Sequence, residues 1–340
     1  MKRTFNFTVR QGDGSSVTEP FMKRTFNFTT DAEDIGRFKD SSELVDFMDG
    51  FDGVELLCFE PDHSGLIPKD RVIGLHMCYF PYWLDFYNND RLALLYEFGS
   101  EEECRNYYGG DSPDALISRF RKDLEYAKYY GAEYVVFHVS DASTEESFTR
   151  KYRHTDAEVI DATLEILNKL FKNEDGGIAL LLENFWLKGL TFTDPEMSKR
   201  LLDGIIYKNK GFMLDTGHLL HTNTKIATQE EGLRYIHKML DLHEDLLGAV
   251  RGIHLNQSLT GAYAESMISH APAHEIPYAE KSRETFRHMM ALDRNEPFTC
   301  GGVPELIERI APEYLTYEFI SRSKEEHRAM LAAQHAALSY

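Results

Sequence analysis

Ile178-Ala-Leu-Leu-Leu-Glu183-Asn184 runs apolar for five residues and then stops on a carboxylate and an amide. An apolar run of that length, bounded by polar residues, suits a parallel strand covered on both faces. Three later stretches repeat the pattern: Phe212-Met-Leu-Asp215-Thr-Gly-His218, Gly252-Ile-His254-Leu-Asn256 and Leu315-Thr-Tyr-Glu318-Phe319. Upstream, further strands are expected at 25–29, 53–59, 72–79 and 134–139, joining 178–183, 211–215, 252–255 and 314–319. Between them lie amphipathic stretches such as 113–130, 156–172 and 230–247; in the second, Val159, Ile160, Thr163, Leu164, Leu167 and Phe171 share one helical face. Strands alternating with helices over about 320 residues predict an α/β fold, a single-domain (β/α)8 TIM barrel. An open doubly wound sheet is the alternative, but no G-x-G-x-x-G follows any strand to encourage it.

The barrel is expected over residues 22–340. Met1 to Thr8 recurs identically as Met22 to Thr29, with a polar Gly/Ser-containing segment between the copies. A structural repeat would not copy every side chain and then stop. Residues 1–21 therefore read as a leader outside the core; the alternative is a duplicated strand at the barrel edge.

Hydrophobic content of 42% suits a globular chain, and a formal charge of −19 disfavours phosphate polyanions and hence nucleic acid. No apolar run approaches a membrane span and no signal peptide is visible, so a cytoplasmic location is expected. The four cysteines are widely spaced without a C-x-x-C pair, which argues against a thiolate zinc site.

In a barrel, the polar residues that end the strands converge on one mouth. A carboxylate buried there is costly unless it is paired, hydrogen-bonded or bound to a metal. Glu183, Asp215, His254 and Glu318 supply three carboxylates and one imidazole, a donor set for a catalytic divalent ion: Mn2+, Zn2+, Mg2+ or Co2+. Any one of them alone reads as a strand-end residue satisfied by a salt bridge; four in successive strands do not. His76, His138, His218 and His274 are candidates for further metal ions, with Glu183 bridging, or for contacts to a polyol. His154, His221, His237, His243 and His288 fall on expected helices or their approaches and receive no role.

Long connections are expected at 80–112 and 257–280. The first, with Tyr79 and Trp83, offers an aromatic wall for a substrate pocket, completed by Asn184 and Asn256; its exposed aromatics would equally suit a homodimer contact. A phosphate site is not visible: Gly-rich phosphate loops are absent, so a neutral sugar or polyol is preferred.

The ordered set Leu182-Glu183-Asn184, Asp215-Thr-Gly-His218, His254-Leu-Asn256 and Glu318 resembles the xylose isomerase-like TIM barrel superfamily. That group unites sugar phosphate isomerases and epimerases with the AP endonuclease family 2, or endonuclease IV-like, proteins, and the resemblance covers residues 22–340. In the epimerase branch it implies that Glu183, Asp215, His254 and Glu318 hold one metal, with Glu183 and Glu318 as the catalytic proton-transferring pair. It also implies that His218 contacts a substrate oxygen. An ion chelating a carbonyl and its adjacent hydroxyl acidifies the intervening C–H and stabilises an enediolate.

In the endonuclease branch, His76, His138, Glu183, Asp215, His218, His254, His274 and Glu318 match a trinuclear zinc cluster. Departures are visible: Pro272-Ala-His274 replaces that family's Asp-x-His, Gln257-Ser258 replaces Asp-Ser, and His138-Val-Ser replaces His-Pro-Gly. The expected activity is thus a metal-dependent isomerase, epimerase or related lyase acting on a small sugar or polyol. The alternatives are a zinc-dependent phosphodiester hydrolase and a non-catalytic barrel that binds metal or ligand.

Overall fold

Eight parallel strands close a barrel: β1 (Lys23–Thr29), β2 (Gly53–Leu57), β3 (Val72–His76), β4 (Tyr134–His138), β5 (Ala179–Glu183), β6 (Lys210–Asp215), β7 (Val250–Leu255) and β8 (Tyr314–Tyr317). Each pairs with its sequence neighbours, and β8 returns to β1 in the register Lys23↔Tyr314 to Phe26↔Tyr317. The computed structural model describes residues 22–338, so the leader expected at 1–21 lies outside the described residues. The predicted (β/α)8 barrel is the observed fold.

Side chains alternate across a strand, and that period of two separates the core from the chemistry. Val135, Phe137, Leu180, Leu182, Phe212, Leu214, Ile253 and Leu255 belong to the main apolar cluster, shared with residues of the surrounding helices. Their neighbours of opposite parity, including Tyr134, Val136, Ala179, Leu181 and Met213, form a separate cluster inside the barrel. Continuing each inner row towards the strand C-terminus gives His138, Glu183 and Asp215. Both faces of β4, β5 and β6 are therefore apolar for most of their length, which is why those strands read as unbroken hydrophobic runs.

Two expectations need correction. Residues 80–112 are not an extended loop but carry three short helices, Leu84–Tyr87, Arg91–Phe98 and Glu101–Tyr108. Asp90 and Ser100 N-cap the second and third, while the Asp141 carboxylate takes the Trp83 and Leu84 amides at 2.6 and 2.8 Å. The eighth strand stops at Tyr317, so Glu318 stands just beyond it. There the Asn27 side chain takes over from the ladder, accepting from Phe319 N at 2.9 Å and donating to its carbonyl at 3.0 Å. The helix Asp156–Leu170 begins at a capping box between Thr155 and Glu158, a start signal legible in the sequence. Among the described residues no helix is long and apolar enough to cross a membrane.

Candidate metal centre

Glu183 is the hub of the mouth. Its Oε2 lies 3.1 Å from His76 Nε2 and 2.6 Å from His138 Nε2, while its Oε1 lies 3.1 Å from His254 Nδ1 and 3.3 Å from His218 Nδ1. The two oxygens of one carboxylate thus face two different groups of donors. Glu183, Asp215, His254 and Glu318 offer one ligand atom each, all within 4.8 Å of one another; His76, His138 and Glu183 form a second such group.

Local structure fixes these donors. Asp215 ends β6 and N-caps the helix Thr216–His221, its Oδ1 accepting from His218 N at 2.6 Å. Its Oδ2 accepts from Asn256 Nδ2 at 2.9 Å. That approach needs Gly217, because a Cβ there would sit 1.9 Å from Asn256 Oδ1. Asn184 exchanges two hydrogen bonds with the Asp215 backbone, accepting at 2.9 Å and donating at 3.0 Å. His76 donates from Nδ1 to the Met77 carbonyl at 2.9 Å, which leaves its Nε2 facing Glu183.

Charge balance shows what the site wants. Burial pushes Asp215 well above the ordinary carboxylate range, and the Glu318 and Glu183 carboxylates push it further, against the pull of His218. Burial opposes ionisation of Glu183 too, yet the imidazoles of His138 and His254 hold it well below that range. His254 resists burial and is raised by Glu318, Glu55 and Glu183. Glu318 lies at about 2: the charge of His254 overcomes its burial. Burial lowers His138, with His76 and His218 adding to the effect, whereas Glu183 lifts His76 to about 9 despite its burial. Three carboxylates crowd around one imidazole nitrogen, an arrangement whose mutual repulsion a divalent cation relieves. The oxygen-rich set with one imidazole fits a hard or borderline ion, and the His76–His138–Glu183 set fits a borderline one.

Of the expected site residues, His76, His138, Glu183, Asp215, His218, His254 and Glu318 come together, and His274 does not. It sits on the outer surface, its ring stacked on Tyr96 at 4.7 Å and its Nδ1 3.3 Å from Glu275. The chain around residue 274 runs on the outside of the 257–280 connection, so its place in the sequence after β7 does not bring it to the mouth. Asn184 and Asn256 are fully buried and hold carboxylates in place instead of lining a pocket. Trp83 is also withdrawn: its indole donates to the Ser140 carbonyl at 2.8 Å and its ring packs on Tyr87. The aromatic rings that pack on the site's imidazoles are Tyr79, 4.5 Å from the His138 ring, and Phe185 and Trp186 at 4.5 and 5.1 Å from the His218 ring.

Three participants escape the sequence reading. Asp293 Oδ2 lies 3.2 Å from His218 Nε2, and its Oδ1 lies 3.5 Å from His221 Nε2. His221 follows His218 by three residues, a spacing that places both on one helical face and could have flagged it. Glu55 interrupts Gly53-Val-Glu-Leu-Leu, the same signal that marked Glu183, but in the middle of a strand and not at its end.

Among curated proteins, none matches this sequence. Solved structures of the same fold include a putative xylose isomerase from Rhodospirillum rubrum, 13% identical, with a TM-score of 0.53, over 93% of this chain and 99% of that one. A D-tagatose 3-epimerase-like protein is 15% identical, with a TM-score of 0.49, over 94% and 98% of the two chains. The 3-keto-D-glucoside 4-epimerase of E. coli is 12% identical, with a TM-score of 0.48, over 93% and 99%. A family model described as xylose isomerase-like TIM barrel matches residues 48–335, and the chain belongs to that family.

Proposed function

We propose that this protein is a divalent-metal-dependent isomerase or epimerase, or a related lyase, acting on a small sugar or polyol by proton transfer. The observation that carries this reading is the pair of carboxylates on one nitrogen: Glu183 Oε1 and Glu318 Oε2 stand 3.1 and 3.2 Å from His254 Nδ1. Glu183, Asp215, His254 and Glu318 would hold the ion, which, when bound, polarises a carbonyl and its neighbouring hydroxyl and acidifies the C–H between them.

Glu318 keeps 16% of its side chain exposed and is the carboxylate that meets incoming substrate; Glu183 supplies the second proton-transferring group from the buried side. His218 is held by Asp215 and Asp293 as an imidazolium against its burial, a fixed positive charge beside the candidate metal ligands. Tyr79, Phe185 and Trp186 give an apolar wall for a sugar face. The test is exchange of solvent deuterium into a ketose at C3 or C1 in the presence of each divalent ion. Glu183→Gln and Glu318→Gln should slow that exchange by roughly 10²–10⁴. Absence of exchange with every ketose and ion tried would remove the reading.

One observation favours a second reading. The His76–His138–Glu183 group adds a place for another ion, as a zinc-dependent phosphodiester hydrolase would need. Against it, the three-metal pattern needs His274, which is remote, and the acidic surface repels nucleic acid.

A further inference from the structure

Beneath the metal centre lies a carboxylate that belongs to neither donor group. Glu55, on β2, is 2% exposed, and its Oε1 and Oε2 lie 2.9 and 3.1 Å from His254 Nε2, the second in hydrogen-bonding geometry, on the side of the ring away from the other carboxylates. Its Oε2 accepts from Tyr134 OH at 2.7 Å and from Thr316 Oγ1 at 3.2 Å, and Thr316 is itself bonded to Thr25 Oγ1 at 2.8 Å. Strands β1, β2, β4, β7 and β8 thus contribute to one buried polar network. An unpaired carboxylate at that depth would be strongly destabilising, so its partners define its purpose.

We propose that Glu55 is a positioning residue for the metal centre, holding the His254 proton on Nε2 so that the Nδ1 lone pair faces the ion. This rests on the reading of Glu183, Asp215, His254 and Glu318 as metal ligands. A neutral imidazole carries one proton, and the nitrogen that keeps it cannot ligate. Glu55 can only accept, so it selects the Nε2–H tautomer. A ligating histidine with a carboxylate behind it is also more basic and rotationally fixed. Tyr134 and Thr316 donate to the same Oε2 that faces His254 Nε2, which fixes the carboxylate behind the ring.

The same geometry says what Glu55→Gln does. Tyr134 and Thr316 keep the amide oxygen at the Oε2 position, which puts the NH2 at the Oε1 position, 2.9 Å from His254 Nε2. That donor demands a lone pair on Nε2 and drives the proton to Nδ1, the tautomer that cannot bind. The test is chelator competition with Zn2+ on wild type, Glu55→Gln and Tyr134→Phe, together with 15N shifts of His254 with and without zinc and the thermal midpoint of each apo form.

Glu55→Gln is expected to bind Zn2+ roughly 10- to 100-fold more weakly. Without zinc its His254 should carry the proton on Nδ1, while the apo midpoint stays near that of wild type. Tyr134→Phe should show the same direction with a smaller loss, and it decides the matter should Glu55→Gln fail to fold. Wild-type affinity and an unmoved tautomer in the variants would overturn the role of Glu55 alone. A wild-type protein that holds no divalent ion would overturn the metal reading and this inference together.

Discussion

The Asp293 carboxylate bridges two imidazoles one helical turn apart, reaching His218 Nε2 at 3.2 Å and His221 Nε2 at 3.5 Å. His218 donates from Nδ1 to the Asn184 carbonyl at 2.9 Å, so both of its nitrogens are committed and the ring cannot turn. Asp293→Asn removes the charge but keeps the shape. The His218 pKa should fall, and turnover should drop roughly 10- to 100-fold, the range seen when the partner of a functional histidine is lost. An NMR titration of His218 alongside steady-state rates checks this; unchanged values for both would leave Asp293 as scaffold.

Glu183 divides its oxygens between two donor groups, and this separates the effects of substitutions on metal content. Elemental analysis after dialysis should give one ion per chain for the wild type and for His138→Ala, since Glu183, Asp215, His254 and Glu318 remain intact. Glu183→Ala should lose it. A second wild-type ion that His138→Ala removes would favour the hydrolase reading.

His274→Ala should change neither turnover nor metal content. The side chain is 47% exposed and contacts only Glu275 and Tyr96 among the named partners, and surface substitutions of this kind shift stability by about 0.5 kcal/mol at most. A tenfold loss of rate would return this residue to the site and with it the three-metal reading.

His327 sets an acid limit to stability far from the mouth. It is 5% exposed between the edges of Phe26 and Phe47, with Nε2 unpartnered, and burial, assisted by the charge of Arg37, pushes it down to about 4. The unfolded chain takes up a proton near pH 6.5 that the folded chain refuses until about pH 4. Stability from this residue is therefore whole above pH 6.5 and falls as the pH drops, by about 3 kcal/mol on reaching pH 4. Urea unfolding of wild type and His327→Leu between pH 4 and 7 should diverge in that window; parallel curves would contradict it.

The barrel and most of its mouth were legible because burial on both strand faces leaves apolar runs, and a polar residue ending such a run has few explanations. Glu183, Asp215 and His254 follow directly from that rule. Glu318 follows too, although its strand ends one residue earlier, where Asn27 replaces the ladder. Asp293 left no such trace: it follows the helix Tyr278–Leu292, in a stretch whose polarity resembles any other loop. His274 misled for the converse reason, since a histidine after a strand looks like a ligand whichever way the loop carries it. Trp83 misled because an aromatic beside the mouth can serve the scaffold of its own loop as readily as a substrate.

Tyr134 stands upright inside the barrel because β3 carries glycine opposite it: a Cβ on Gly74 would lie 2.1 Å from Tyr134 Cζ. With the Tyr314 ring tilted against it at 4.3 Å and Met213 and Leu181 alongside, that ring forms a plug under the polar network. The candidate centre is therefore closed from below, and its exposed side chains (Glu318, His76 and His138) all lie at the mouth. On the proposed function, ion and substrate arrive from that one side, and bound substrate should slow the escape of the ion behind it.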